Sequence, residues 1–268
     1  GSAYKYWKKS NPDKLFYINL PILHPHRSFV NIKKALEYND IIGTEGGFMF
    51  YTPANQSFLY RTSFTAKLLE AVSPDKPKVI FMAADNKPWN WLLHTPGETG
   101  LCIAASISNG SNIWYGLHGS TMLLKSESAQ KAKEILLFEK KNEKYFENSK
   151  PFSKVALFYS FTNSLVGGHA KDPSDFSIKD PSKLIYGDTE DAMRGWYSML
   201  TESQIPFDIV TDLDLSSLNK YSVVICPNAV AIEDKSIQAL RNYVSNGGRL
   251  ISECSLSLFD SIGVKREN

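Results

Sequence analysis

Short apolar runs alternate along this chain with stretches whose apolar residues recur every three or four positions. Lys14 to Leu20 (KLFYINL) has the aromatic and β-branched content of a strand ending at Asn19 and Pro21, and a loop with His24 and His26 follows. Ile32 to Tyr38 reads as a short helix. Asp40 to Thr44 is a second strand, running into Glu45-Gly46-Gly47. Ser63 to Val72 carries Phe64, Leu68, Leu69 and Val72 at helical spacing and turns Lys67 and Glu70 outward. A third strand, Val79 to Met82, empties at Ala83-Ala84-Asp85 into a loop holding Trp89 and Trp91. A small-residue helix from Leu101 to Asn109, broken by Gly110, leads to a fourth strand, Ile113 to Tyr115, with His118 just beyond. Strands that recur about every 30 to 40 residues and alternate with helices are the pattern of a (β/α)8 barrel, and four such units make half of one.

A charged helix follows from Glu127 to Asn148, with Ile135, Leu136, Phe138 and Tyr145 as its sparse apolar positions; it reads as a solvated helix closing the barrel. Pro151 disfavours its continuation and precedes a fresh strand, Val155 to Tyr159, so the expected domains are residues 1–150 and 151–268. In the second, a long loop from Ser160 to Tyr186 leads to a helix capped near Asp188, with Met193, Trp196, Met199 and Leu200 on one face. Phe207 to Val210 is a strand, and Tyr221 to Cys226 reads as a strand buried on both faces. A helix from Asp234, with Ile237, Leu240 and Val244 inward, stops at Asn246-Gly247-Gly248, and Arg249 to Ser252 is the next strand. This is an α/β domain with a parallel sheet.

Composition narrows the function classes. The chain has 268 residues, 43% apolar and 22% charged, enough for one large or two medium cores. A net charge of +2 without a basic stripe argues against nucleic acid as a partner. No apolar stretch reaches the length of a membrane span and nothing resembles a signal peptide, which favours a cytoplasmic over a secreted protein, although an opening Gly-Ser suggests that the natural amino terminus lies upstream. Cys102, Cys226 and Cys254 lack metal-ligand spacing and read as buried free thiols, and His24 and His26 lack a third ligand, so no metal and no cofactor is expected.

Candidate chemistry gathers where strands end, the side on which barrels keep their catalytic groups. Glu45 terminates an apolar strand beside two glycines that permit close approach of backbone to a ligand, and Asp85 ends the third strand; these are the catalytic candidates. Trp89 and Trp91 offer aromatic stacking surfaces to a bound substrate, and Asn19 and His118 offer hydrogen bonds to its polar groups. Each has a plainer use: a carboxylate bonded to a loop amide, an Asx turn at Asp85, tryptophans packing their own loop, a histidine satisfied by backbone.

Two stretches resemble known families. The run from Pro96-Gly97-Glu98 through Asn109-Gly110 to Trp114-Tyr115 resembles, without gaps, the seventh helix and eighth strand of family 42 β-galactosidases. The resemblance implies that residues 14–118 supply barrel strands five to eight, with the acid/base on a fourth strand that this chain does not contain. It matches the tryptophan that lines the family's sugar site to Trp91 or Trp89, whereas the place of the family's nucleophilic glutamate falls near Ala83. The stretch YSVVICPNAVAIEDKSIQALRNYVSNGGRLI resembles the flavodoxin-like domain of class I glutamine amidotransferases, in the form found as the trimerisation domain behind family 42 barrels. Amidotransferase chemistry is not expected, because Cys254 lacks the flanking glycines of a nucleophile elbow. Together these imply a fragment of a glycoside hydrolase acting on a β-galactoside or related glycoside, assembled as a homo-oligomer, a trimer by the domain's precedent. The rival reading is a carbohydrate-binding or assembly protein whose barrel has lost catalysis, consistent with Ala83-Ala84 where a glutamate is expected.

Overall fold

A computed structural model describes residues 1–23, 30–47, 51–52, 55–56, 58–85, 92–147, 149–166, 189–253 and 256–267. The chain separates into two compact units, one holding residues 1–23 and 30–150 and the other residues 151–268. His24, His26, Trp89, Trp91, Asp188 and Cys254 lie outside the described residues.

The first unit is built on four parallel strands, β1 (Tyr17–Asn19), β2 (Ile41–Glu45), β3 (Lys78–Ala83) and β4 (Asn112–Gly116), hydrogen-bonded in that order. The sheet order follows the chain order, so every crossover steps in the same direction, as in half of a (β/α)8 barrel. The crossovers carry α2 (Ile32–Leu36), α3 (Arg61–Val72) and α4 (Pro96–Ile107); α1 (Ser2–Ser10) precedes the sheet and α5 (Glu127–Lys141) follows it. One sheet face packs against the helices: Ile42, Ile80 and Met82 are fully buried there, with Leu68 and Leu69 of α3 and Ile103 of α4. Each such side chain contributes about 1.5–3 kcal/mol of burial.

Local chemistry sets the helix limits. α4 begins at Pro96, earlier than the predicted Leu101, because Thr95 and Glu98 form a reciprocal capping box: Thr95 Oγ1 accepts from the Glu98 amide at 3.2 Å and Glu98 Oε2 accepts from the Thr95 amide at 2.7 Å. α5 ends at Lys141 rather than Asn148, and a short 3-10 turn, Glu143–Tyr145, follows. Asn142 closes it: its side-chain amide donates to the Phe138 carbonyl at 2.8 Å and its backbone N–H to that of Glu139 at 2.9 Å. α5 buries Ala129 and Ala132, with Ile135 and Leu136 partly covered, while Phe138 and Tyr145 are exposed.

The second unit is a four-stranded parallel sheet of β5 (Val155–Tyr159), β6 (Phe207–Thr211), β7 (Val223–Cys226) and β8 (Arg249–Ser252), in the order β8-β7-β5-β6. Helices α6 (Phe161–Val166), α7 (Thr189–Glu202) and α8 (Asp234–Ser245) complete it. The predicted loop after β5 starts instead as α6. Ser160 accepts from the Asn163 amide at 3.0 Å, and the buried Asp212, just past β6, accepts from the Ser160 hydroxyl and the Phe161 and Thr162 amides at 2.7, 3.1 and 3.0 Å. The helix is therefore capped by a side chain from the neighbouring strand, which no local pattern announces. The buried face of α7 is Met193, Tyr197 and Leu200, with Met199 exposed and the Trp196 indole donating to Glu253 at 2.9 Å. That of α8 is Ser236, Leu240 and Tyr243, with Ile237 partly covered and Val244 exposed. Gly247 ends α8 at φ +92, and Gly248 lies so close under the Tyr243 ring that no side chain fits there.

Candidate functional site

The carboxyl ends of β1 to β4 meet on the sheet face opposite the helices. Side chains alternate along a strand, so the burial of Ile42, Thr44, Ile80 and Met82 toward the helices puts Glu45, Phe81 and Trp114 on the other face. Register places these three in one cross-sheet row, since Glu45 pairs with Phe81 and Phe81 with Trp114; Asn19 pairs with Gly43 and shares that face.

Asn19 and Glu45 are in contact. The Asn19 amide donates to Glu45 Oε1 at 3.3 Å, and both side chains are exposed. The Tyr17 ring lies across Gly43, where a side chain would sit 2.6 Å from the ring and 2.5 Å from the Val79 carbonyl. Burial pushes the Tyr17 hydroxyl above its usual range, and the nearby Glu45 charge adds to the shift. Phe81 meets Trp114 edge-on at 5.3 Å between ring centres, and Trp114 meets Tyr17 at 6.4 Å. Trp114 is 54% exposed. A carboxylate, a primary amide and an exposed indole on one surface suit a ligand with hydroxyl groups and an apolar ring face.

Gly46 and Gly47 serve a different approach from the one the sequence suggests. Their amides both donate to the Phe81 carbonyl, at 3.3 and 3.2 Å, and a side chain on either would come within 2.5 Å of Thr65 or Met82. They let the backbone leave β2 pressed against the protein itself, which fixes where Glu45 stands.

Asp85 lies two residues past the end of β3 and is buried. Its Oδ1 is 2.8 Å from Nδ1 of His118, which stands two residues past β4 with its side chain 36% exposed. The backbone around Asp85 is pinned on both sides: Ala84 donates to Gly116 at 2.9 Å, His94 donates to Ala84 at 2.8 Å, and Asp85 bridges to Leu93. The His118 ring meets Phe81 edge-on at 6.4 Å, which ties the Asp85–His118 pair to the Glu45 row. Ala83 and Ala84 are fully buried.

Sequence reasoning missed Trp114, Phe81 and Tyr17 as parts of this surface. Apolar residues occupy both faces of these strands, so the sequence alone does not say which alternate set faces the helices. Among the described residues, no group of three or more His, Cys, Asp or Glu is placed to hold a metal ion, and no helix is long and apolar enough to cross a membrane. Cys102 and Cys226 are buried free thiols, and burial pushes the Cys226 thiol up to about 12.

The fold is half of a (β/α)8 barrel followed by a flavodoxin-like domain. Comparison with known proteins adds the particulars. Residues 153–260 match the family model described as the β-galactosidase trimerisation domain. Over 98% of its length the chain superposes on the β-galactosidase from Bacillus circulans sp. alkalophilus, with a TM-score of 0.73 and 16% identity. A catalytic mutant of a family 42 β-galactosidase from G. stearothermophilus gives 0.70 and 17% over 98% of the chain. The exo-carrageenase of family 42 from Bacteroides ovatus gives 0.69 and 12% over 100%. The chain spans 39%, 40% and 39% of those three structures' lengths, respectively. No curated protein matches the sequence itself. The chain is thus family 42 β-galactosidase-like in fold across both units.

Proposed function

We propose that this chain is the carboxyl-terminal half of the catalytic barrel of a glycoside hydrolase, residues 1–150, followed by a domain that assembles its subunits, residues 151–268. The substrate is a β-galactoside or a related glycoside, and the assembly is a homo-oligomer, a trimer by the name of the matching domain. Glu45 and Asp85 are the acidic groups of this half of the site; Asn19, His118 and one of Trp89 and Trp91 contact the sugar, with Trp114 extending the aromatic wall. No cofactor is required.

The observation that carries this reading is the Asn19–Glu45 pair at the carboxyl ends of adjacent parallel strands, on a face lined by Phe81 and Trp114. In that setting the Asn19 amide orients the Glu45 carboxylate without neutralising its charge, so the carboxylate can take a proton from a hydroxyl or face a developing positive centre. Glycosidases need a second carboxyl group across the scissile bond; the reading places its partner on the barrel half that precedes β1.

The test is Glu45→Gln in the complete polypeptide, which removes charge and keeps shape. Turnover of an aryl β-galactoside should fall by about 10² to 10⁴-fold with the circular dichroism spectrum unchanged. Near-wild-type turnover eliminates Glu45 from catalysis. Light scattering on the same preparation checks the trimer.

A further inference from the structure

A polar atom beside the Glu45 row is left without a bond. Tyr17 and Asn19 stand on one face of β1, Gly43 and Glu45 on the same face of β2, and register sets Asn19 level with Gly43. The Tyr17 ring leans forward across Gly43, so close that a side chain there would lie 2.9 Å from the phenolic oxygen. That brings the hydroxyl to a point one side-chain step below Glu45. Burial raises the hydroxyl above its usual range and the Glu45 charge adds to the effect, so the two groups sense each other. Yet the phenolic oxygen is shut off from solvent and has no hydrogen-bond partner among the described residues. Such a group loses its bond to water and gains nothing in return, a cost that phenylalanine in the same place would avoid. Glu45 meanwhile accepts a long bond from the Asn19 amide, at 3.3 Å. Hydrogen bonds with an ionised partner commonly close to about 2.7–2.9 Å, so this one is easily exchanged.

We propose that Tyr17 is a positioning residue for Glu45: when a ligand hydroxyl takes the Asn19 amide, the Glu45 carboxylate turns to the Tyr17 hydroxyl and is held there. This rests on the glycoside reading above. Asn19 is exposed and its amide can donate to a sugar oxygen as well as to Glu45. A carboxylate released in that way needs a new donor to keep its orientation, and the Tyr17 hydroxyl lies within the same face with its proton uncommitted. Gly43 is what admits the ring, since any side chain there would collide with it and with the Val79 carbonyl, 2.5 Å away. The ligand class is a sugar with a hydroxyl that accepts from Asn19 while Glu45 faces its reacting end.

The experiment uses the complete polypeptide and Tyr17→Phe, which removes one oxygen and keeps the ring over Gly43. In thermal unfolding without ligand, Tyr17→Phe should leave the midpoint unchanged or raise it, because the hydroxyl has no bond to lose. In an Asn19→Ala background, where Glu45 is already released, the same change should lower the midpoint by a few degrees. Equal shifts in the two backgrounds overturn the exchange, and so does a fall in the wild-type background, which means that the hydroxyl is already bonded. In calorimetric titration with galactose, Tyr17→Phe should weaken binding by roughly tenfold to a hundredfold, the contribution of a hydrogen bond to a charged group. Unchanged affinity for galactose overturns the role in the bound state. Should galactose and an aryl β-galactoside both fail to bind while the thermal shifts differ between backgrounds as expected, the exchange from Asn19 to Tyr17 stands and the glycoside reading falls.

Discussion

Replacing Asp212 with alanine is the sharpest test of how the second unit is held together. Asp212 is 4% exposed and gathers three donors from the start of α6, the Ser160 hydroxyl at 2.7 Å and the Phe161 and Thr162 amides at 3.1 and 3.0 Å. Those donors belong to the segment after β5, so the carboxylate ties the ends of two adjacent strands together. Alanine removes all three acceptor contacts and leaves two backbone amides buried without a partner. Bonds to a charged group contribute about 1.5–3 kcal/mol each, and an unsatisfied buried donor costs about 1–3 kcal/mol. The three share one carboxylate and do not add, so the expected loss is about 3–5 kcal/mol, the range seen when one partner of a buried charged interaction is removed. For a domain of this size that lowers the midpoint of thermal unfolding by roughly 10–20 °C. Hydrogen exchange read on peptides from β5, α6 and β6 localises the effect, and Asp212→Asn, which retains one acceptor oxygen, should fall between wild type and alanine. A loss below about 1 kcal/mol in the alanine variant, with α6 amides as protected as before, refutes the claim that this side chain caps the helix.

Three further outcomes are expected. Gly116→Ala should displace the Phe81 ring, which a new side chain would meet at 2.6 Å, and cost about 1–3 kcal/mol; the same change should weaken galactoside binding, measured by calorimetry. Asp40 is held below the usual carboxylate range chiefly by the Lys8 ammonium, 2.8 Å away, with the Phe16 amide and the Tyr4 hydroxyl assisting against a smaller opposing effect of burial. Its stabilisation is therefore complete above the unfolded value of about 3.9 and lost as pH falls through the lower folded value, so the difference in urea midpoint between wild type and Asp40→Asn should hold at neutral pH and vanish on acidification below it. Trp114→Ala should weaken sugar binding in the complete polypeptide and leave the unit folded, because the indole is more than half exposed; unchanged binding removes Trp114 from the aromatic wall.

The order of elements was legible in the sequence because it rests on local, periodic signals. Short apolar runs mark β2, β3, β5 and β7, helical spacing marks α3 and α8, and Gly247 marks where α8 must stop. Two boundaries were readable and missed: Thr95-Pro96-Gly97-Glu98 is a capping signature that starts α4, and Asn142 closes α5 with its own amide. The candidates Asn19, Glu45, Asp85 and His118 were found for a simple reason, that each is a polar residue at or just after the end of an apolar strand. Their relations were not. That Asn19 holds Glu45, that Asp85 is buried under His118, and that Gly46 and Gly47 yield to Thr65 and Met82 rather than to a ligand all depend on strand register and on which alternate set of side chains the helices cover. The start of α6 is likewise set by Asp212, some fifty residues along the chain. A sequence specifies its elements through neighbours a few positions apart, where backbone propensity and side-chain period act directly. Pairing between elements depends instead on packing between residues distant in the chain, and only the folded sheet brings those carboxylates, rings and amides within reach of one another.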